Sequence, residues 1–217
     1  MAHMWSSDGY ATGYFYGTAT FGSTSLVGSG SYDIFIAKLS SSGSWQWAVK
    51  AGGSSTDYGN GIAIDLSGNA YVIGDFDGTA TFGSSILTSS GGDDIFIAKL
   101  SFNGYWQWAV KAGGSSGDSG NGIAVDSNGN AYVTGNFYGT VAFGSTNLTS
   151  RYDDIFVAKL SSSGSWQWAV KAGGSSDDYG RGIDLDSSGN AYVTGYFSGT
   201  AAFGSTSLVS SGSYDIF

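Results

Sequence analysis

Residues Asp94-Ile-Phe-Ile-Ala-Lys-Leu-Ser-Phe-Asn-Gly-Tyr-Trp-Gln-Trp-Ala-Val-Lys111 hold two strand-length runs joined by a turn. Side chains alternate along an extended chain. Ile95, Ile97 and Lys99 therefore share one face of the first run, and Phe96, Ala98 and Leu100 share the other. Both faces are mainly apolar, so a sheet covered on both sides is expected. In the second run the same rule sets Trp106, Trp108 and Val110 on one face, and Gln107, Ala109 and Lys111 on the other. Asn103-Gly104 supplies the tight turn between them.

The stretch recurs. Asp-Ile-Phe begins at Asp33, Asp94, Asp154 and Asp215, every 60 or 61 residues. Trp-Gln-Trp falls at 45–47, 106–108 and 166–168, and Gly-Ile at 61, 122 and 182. Tyr-x-x-Gly follows at Tyr10, Tyr71, Tyr132 and Tyr192. In the second copy, Gly61–Asp65 and Ala70–Gly74 flank the turn Leu66-Ser-Gly-Asn69 and form a second hairpin. A Gly/Ser/Thr-rich stretch from Gly78 to Gly92 intervenes, anchored by Phe82, Ile86 and Leu87. Each unit thus supplies four strands, A to D, a four-stranded antiparallel meander. The expected fold is all-β: a β-propeller with about 3.5 repeats of roughly 60 residues in the chain. Solenoid coils repeat at shorter intervals, and a free-standing domain of this unit's size is marginal.

Composition agrees. The chain has 37 Gly, no Pro, no Cys and seventeen acidic residues, all of them Asp. Turn-forming residues abound, and strong helix formers other than Ala are few. A net charge of −9 and a pI near 4.1 argue against nucleic acid and anionic membranes as partners. Without Cys there is no disulfide framework and no thiol chemistry. Met1-Ala2-His3-Met4 reads as a cloning remnant, and it contains the one histidine. The units then run 5–58 (strands B, C and D), 59–118, 119–179, and 180–217 (A, B and the start of C).

Gly122-Ile-Ala-Val-Asp-Ser-Asn-Gly-Asn-Ala-Tyr-Val-Thr-Gly135 and Asp154-Ile-Phe-Val-Ala-Lys-Leu160 resemble the repeat of the SBBP-type bacterial β-propeller family. The resemblance covers nearly the whole chain. It implies a propeller of about seven blades in secreted or surface-attached microbial proteins, and it brings no catalytic residues. This chain has too few units for such a ring.

An open arc leaves two blade faces bare. If each junction hides on the order of 500 Å² of apolar surface, it is worth about 12 kcal/mol. Two junctions exceed an association cost of about 4–15 kcal/mol. A homodimer that completes the ring is expected, with an even blade number under two-fold symmetry: six if the last strand A completes the partner's first blade in place of one strand B, eight if the broken blades stand side by side, and seven only if the chain ends differ. Near-identical units and the leader also suit an engineered or excised repeat fragment.

The candidate site residues fall into three groups. Trp45, Trp47, Trp106, Trp108, Trp166 and Trp168 could stack on sugar rings, giving carbohydrate as a candidate ligand; filling the gaps between blades is the competing role. Asp126, Asn128 and Asn130 have the alternate spacing of half a calcium loop, making Ca2+ the candidate cofactor, but no Glu follows. A side-chain-stabilised turn explains the same residues. Arg181 and Asp184, in place of Asn60 and Ala63, are candidates for pairing with each other or across a subunit junction. The doublets Asp93-Asp94, Asp153-Asp154 and Asp177-Asp178 are expected as solvated loop carboxylates. The six lysines are expected in partly exposed ion pairs with nearby aspartates. No constellation of unlike groups suggests an enzyme. The expected function is a self-assembling scaffold or binding module, the alternative a lectin-like propeller with one weak site per blade.

Overall fold

The computed structural model describes residues 8–217, and within them the chain is strand and turn throughout, with no helix. The leader at 1–4 and the start of the first unit lie outside the described residues. The first unit contains β1 (Gly9–Phe15), β2 (Thr18–Phe21), β3 (Thr24–Val27), β4 (Asp33–Leu39) and β5 (Trp45–Gly53). The second contains β6 (Asp57–Ile64), β7 (Ala70–Phe76), β8 (Thr79–Phe82), β9 (Ser85–Thr88), β10 (Asp94–Leu100) and β11 (Trp106–Gly114). The third repeats this as β12 (Asp118–Val125), β13 (Ala131–Phe137), β14 (Thr140–Phe143), β15 (Thr146–Thr149), β16 (Asp154–Leu160) and β17 (Trp166–Gly174). The fourth has β18 (Asp178–Leu185), β19 (Ala191–Phe197), β20 (Thr200–Phe203), β21 (Thr206–Val209) and the short β22 (Asp215–Ile216).

Each complete unit is the expected antiparallel meander, β6-β7-β10-β11 and β12-β13-β16-β17. The turns carry the geometry the sequence demands. In the turn before β11, Gly104 has φ of 82°, a left-handed conformation that glycine adopts freely. Its N–H donates to the Ser101 carbonyl at 2.8 Å.

Two features differ from expectation. The stretch 78–92 contains a β-hairpin, β8–β9, that leaves its own unit and joins the preceding blade. Gly52 and Gly53 of β5 pair with Thr81 and Ala80. Likewise β14 pairs with β11, and β20 with β17. The unit therefore has six strands rather than four. The sequence hid this because the two extra strands are four residues each and flanked by glycine.

The second difference is a β-bulge. Lys99 pairs with Trp108 and Leu100 with Trp106, leaving Gln107 without an opposite residue. The extra residue turns Trp106 and Trp108 to opposite faces of the blade, contrary to simple alternation. Trp108 joins Tyr71, Ile73, Ile95 and Ile97 in one core, while Trp106 joins Phe82, Phe96, Ala98 and Leu100 in the next. The same bulge recurs at Gln46 and Gln167.

These cores lie between blades. The Tyr/Ile/Ile face of one unit packs on the Phe/Ala/Leu face of its successor, first unit on second and second on third. The A strands meet along the inner edge, where the Asn60 and Asn121 side-chain amides donate to the carbonyls of Gly120 and Gly180 at 3.0 and 2.8 Å. Strand pairing does not join the first unit to the fourth among the described residues, so the ring is open.

Candidate functional site

Three internal carboxylate pairs stand out. Asp33 faces Asp57, Asp94 faces Asp118, and Asp154 faces Asp178, and all six are 0–1% exposed. The expectation of solvated loop carboxylates at Asp94, Asp154 and Asp178 is therefore corrected. Asp94 and Asp154 tuck beneath the glycine pair that ends the D strand of their own unit, and Asp178 beneath that of the preceding unit. A Cβ on Gly52 would lie 2.7 Å from Asp33 Oδ1 and 2.8 Å from Asp57 Oδ2, so the two carboxylates close over one bare α-carbon. Gly113 and Gly173 stand in the same place for the other pairs, and a Cβ on Gly113 would lie 2.2 Å from Asp94 Cγ.

Half of each pair is well supplied with donors. Asp33 Oδ2 accepts from the Ser29 and Gly30 N–H groups at 2.8 and 3.2 Å. Lys111 and Lys171 reach Asp94 and Asp154 at 2.7 Å, and Lys50 lies 3.8 Å from Asp33. Asp57 Oδ2 accepts from Gly53 N–H at 2.8 Å. Five buried carboxylate oxygens are not satisfied: Oδ1 of Asp33, Asp57, Asp94 and Asp154, and Oδ2 of Asp178, have no hydrogen-bond partner. Burial first, then the neighbouring carboxylate, raises Asp57 and Asp118 to about 7 and Asp178 to about 6. These groups can hold a proton near neutral pH, but they are sealed from any substrate. Sequence reasoning missed Asp57 and Asp118, although each follows its partner by 24 residues across a Gly-Gly pair in every complete unit.

The tryptophans occupy the blade junctions. Trp47 and Trp108 donate their indole N–H to the carbonyls of Phe102 and Ser162 in the next unit, at 3.1 and 3.2 Å. The turn glycines Gly104 and Gly164 lie flat on those two rings. Trp45, Trp106 and Trp166 each meet the Phe that ends the first strand of their own unit's hairpin, at centroid distances of 5.0, 5.4 and 5.1 Å.

The Asp126 loop is an internally bonded turn. Asp126 Oδ1 accepts from the N–H groups of Asn128 and Asn130, both at 2.9 Å, and Oδ2 accepts from the Asn130 amide at 2.8 Å. Burial opposes the charge here. The Asn130 and Asn128 donors and Lys159 outweigh it and hold the Asp126 pKa below the ordinary carboxylate value. Asp65 and Asp186 sit in equivalent loops. Lys99 and Lys159 bridge from strand ends to Asp65 and Asp126 at 3.6 and 3.9 Å, over the rings of Tyr71 and Tyr132. Every lysine has an aspartate partner, though Lys38, Lys99 and Lys159 take Asp8, Asp65 and Asp126 rather than the Asp of their own strand.

Arg181 and Asp184 take separate partners. The Arg181 guanidinium lies 5.4 and 5.1 Å from the ring centres of Tyr179 and Tyr196 and donates to the Tyr196 hydroxyl. Asp184 accepts from Leu185 N–H at 2.8 Å. Around them the fourth unit is uncovered. Tyr71 and Tyr132 are 0% and 7% exposed, whereas Tyr192 at the same repeat position is 63% exposed. Gly182, Ile183, Tyr192, Val193 and Thr194 line an open apolar cavity of about 370 Å³ there.

The SBBP β-propeller repeat matches residues 46–75, 107–136 and 167–196. An uncharacterized WD repeat-containing protein of Acanthamoeba polyphaga mimivirus is 27% identical over 185 residues, covering 70% of this chain and 13% of that protein. The chain thus spans a small part of that relative's length. A crystal structure of a protein of unknown function from Bacteroides caccae superposes with a TM-score of 0.47 at 13% identity, covering 87% of this chain and 58% of that one. Each of the three repeat matches runs from a D strand through the following A and B strands, in one register, so the chain is similar to the SBBP β-propeller repeat at three successive positions.

Proposed function

We propose that this chain is a non-enzymatic propeller scaffold whose two bare blade faces associate with those of a second copy. One observation carries this reading: the face that is sealed in the inner units is open in the fourth. Tyr192 is exposed where Tyr71 and Tyr132 are buried, and Trp168 is 38% exposed. The first unit presents the Phe/Ala/Leu face that covers such a surface at the inner junctions, so one chain carries both halves of the contact. Head-to-tail contacts of this kind form closed rings when the rotation permits. The non-enzymatic part rests on units that repeat the same side chains and on acid pairs that no substrate can touch. We further propose an extracellular or surface-attached parent protein, a reading that draws on the family resemblance alone.

Light scattering on the 217-residue chain tests the association. A mass twice the 22.3 kDa of one chain is expected at micromolar concentration, and the mass of one chain refutes it.

A second reading, weak carbohydrate binding at each blade, draws on the polar grooves between successive A–B turns. Ser67, Asn69, Asn128 and Ser162 line one of about 220 Å³, and Ser127, Asp186 and Ser187 line the next. Binding of one sugar class on a glycan array supports it, and silence across the array removes it.

A further inference from the structure

We propose that two copies close a six-bladed ring by strand exchange, residues 9–35 of one copy taking the place of residues 191–217 on β18 of the other. The proposal rests on the self-association above and specifies its geometry. Four observations converge on it.

The two segments are nearly the same. Residues 9–35 and 191–217 agree at 22 of 27 positions, whereas 9–35 and 70–96 agree at 16. In its own copy β18 pairs with β19 from Asp178↔Phe197 to Leu185↔Ala191. The counterparts of Phe197 and Ala191 are Phe15 and Gly9, so β1 fits the same register.

The junction chemistry is half-used. Gly104 covers Trp47 and Gly164 covers Trp108, but a Cβ on Gly43, the equivalent glycine of the first unit, would meet nothing within 4 Å. Trp168 is the ring without a glycine cover. The turn bearing Gly43 reaches Trp168 of the other copy only if β1, β4 and β5 extend the sheet begun by β18. The partner's Ser41 carbonyl then stands where Phe102 and Ser162 accept the other indoles. Broken blades standing side by side would leave Gly43 one blade too far away.

A pairing code runs along the inner strands. Asn60 donates to Asp75 at 2.8 Å and Asn121 to Asn136 at 3.2 Å. Arg181 instead packs on a tyrosine at that B-strand position, Tyr196. The first unit offers Tyr14 there, while the inner units offer Asp75 and Asn136. In the first unit's strand Arg181 therefore meets the same side chain, tyrosine, that it meets in its own.

Exchange also completes the sheet. β19 pairs outward only with the two-residue β22, whereas β1 brings the seven-residue β4 and the nine-residue β5. The β2–β3 hairpin pairs with no other strand among the described residues, while every other such hairpin lies on the D strand of the preceding unit. In the exchanged ring it falls on β17, with Ala19 and Thr20 opposite Gly174 and Gly173. Three A strands and three D strands per copy give three blades each.

The chain has no cysteine, which makes cross-linking clean. Ile183 pairs with Val193, whose counterpart is Ala11. With Ala11→Cys and Ile183→Cys together, a short thiol cross-linker is expected to give a covalent dimer, absent from either single variant. With Val193→Cys and Ile183→Cys, the link within one chain is expected to be several-fold weaker than in the exchanged pair. A dimeric mass in solution with only the 183–193 link overturns the exchange and leaves self-association standing; a monomeric mass overturns both. Tyr14→Ala and Tyr196→Ala provide a second readout. Tenfold or greater weakening of association by Tyr14→Ala alone is expected, and the reverse order refutes the exchange.

Discussion

Replacing Asp57 by Asn should stabilise the protein, and increasingly so as pH rises. Asp57 is fully buried, with Asp33 facing it, Asp77 and Asp93 nearby, and Lys50 Nζ 3.8 Å from Asp33 Oδ1. Burial first, and these carboxylates next, raise its pKa from 3.8 to about 7. Below the unfolded value both states hold the proton and no stability is lost. Between the two values the folded chain retains a proton that the unfolded chain has released, so stability falls by about 1.4 kcal/mol per pH unit. Above the folded value the loss is complete, at about 4 kcal/mol. Asn carries no charge and suits this site. Its oxygen can accept from Gly53 N–H as the Asp57 carboxylate does. Urea unfolding of both proteins, followed by tryptophan fluorescence at pH 4, 6 and 8, measures the difference. The variant should match the parent at pH 4 and exceed it by about 2–4 kcal/mol at pH 8. An equal gain at every pH, or a loss at pH 8, would show that Asp57 carries no buried charge penalty.

Gly114→Ala would set a Cβ 2.0 Å from the Thr140 carbonyl. It should cost about 1–3 kcal/mol, with hydrogen-exchange protection lost first in the hairpin 140–149. Trp108→Ala removes a junction ring and its bond to Ser162, and a loss of about 3–5 kcal/mol in thermal or urea unfolding is expected. Trp168→Ala should cost far less in dilute monomer but lower the fraction of dimer seen by light scattering, and equal costs in monomer would contradict the junction assignment. Calcium should leave the unfolding temperature unchanged, because the Asp126 oxygens already accept from loop donors; a concentration-dependent rise would reveal binding.

The strands were legible because their signals are local. Alternation in Asp94–Leu100 and the Asn-Gly turn fix a hairpin without reference to the rest of the molecule, and the sixty-residue period multiplies that reading. The hairpins at 79–88 and 140–149 were not legible, since their partners lie in the preceding unit and each of their strands is four residues long. The bulge at Gln107 was invisible too, for it arises when strand C runs one residue short of strand D, a relation between segments. The aspartates misled for a similar reason. A carboxylate beside serine and glycine reads as solvated, and only the close packing of Gly52, Gly113 and Gly173 reveals the burial. The roles of Arg181 and Trp168 emerge only by comparing each unit with its neighbours in space.

The displaced hairpins have a mechanical consequence. Because β8–β9 and β14–β15 are carried by one blade but hydrogen-bonded to the blade before it, no blade can be peeled away without also undoing a ladder in its neighbour. Repeat arrays ordinarily come apart unit by unit, with coupling only at their interfaces. Here each unit is stitched to the last through the backbone as well as packed against it, so under force or denaturant neighbouring blades should fail together.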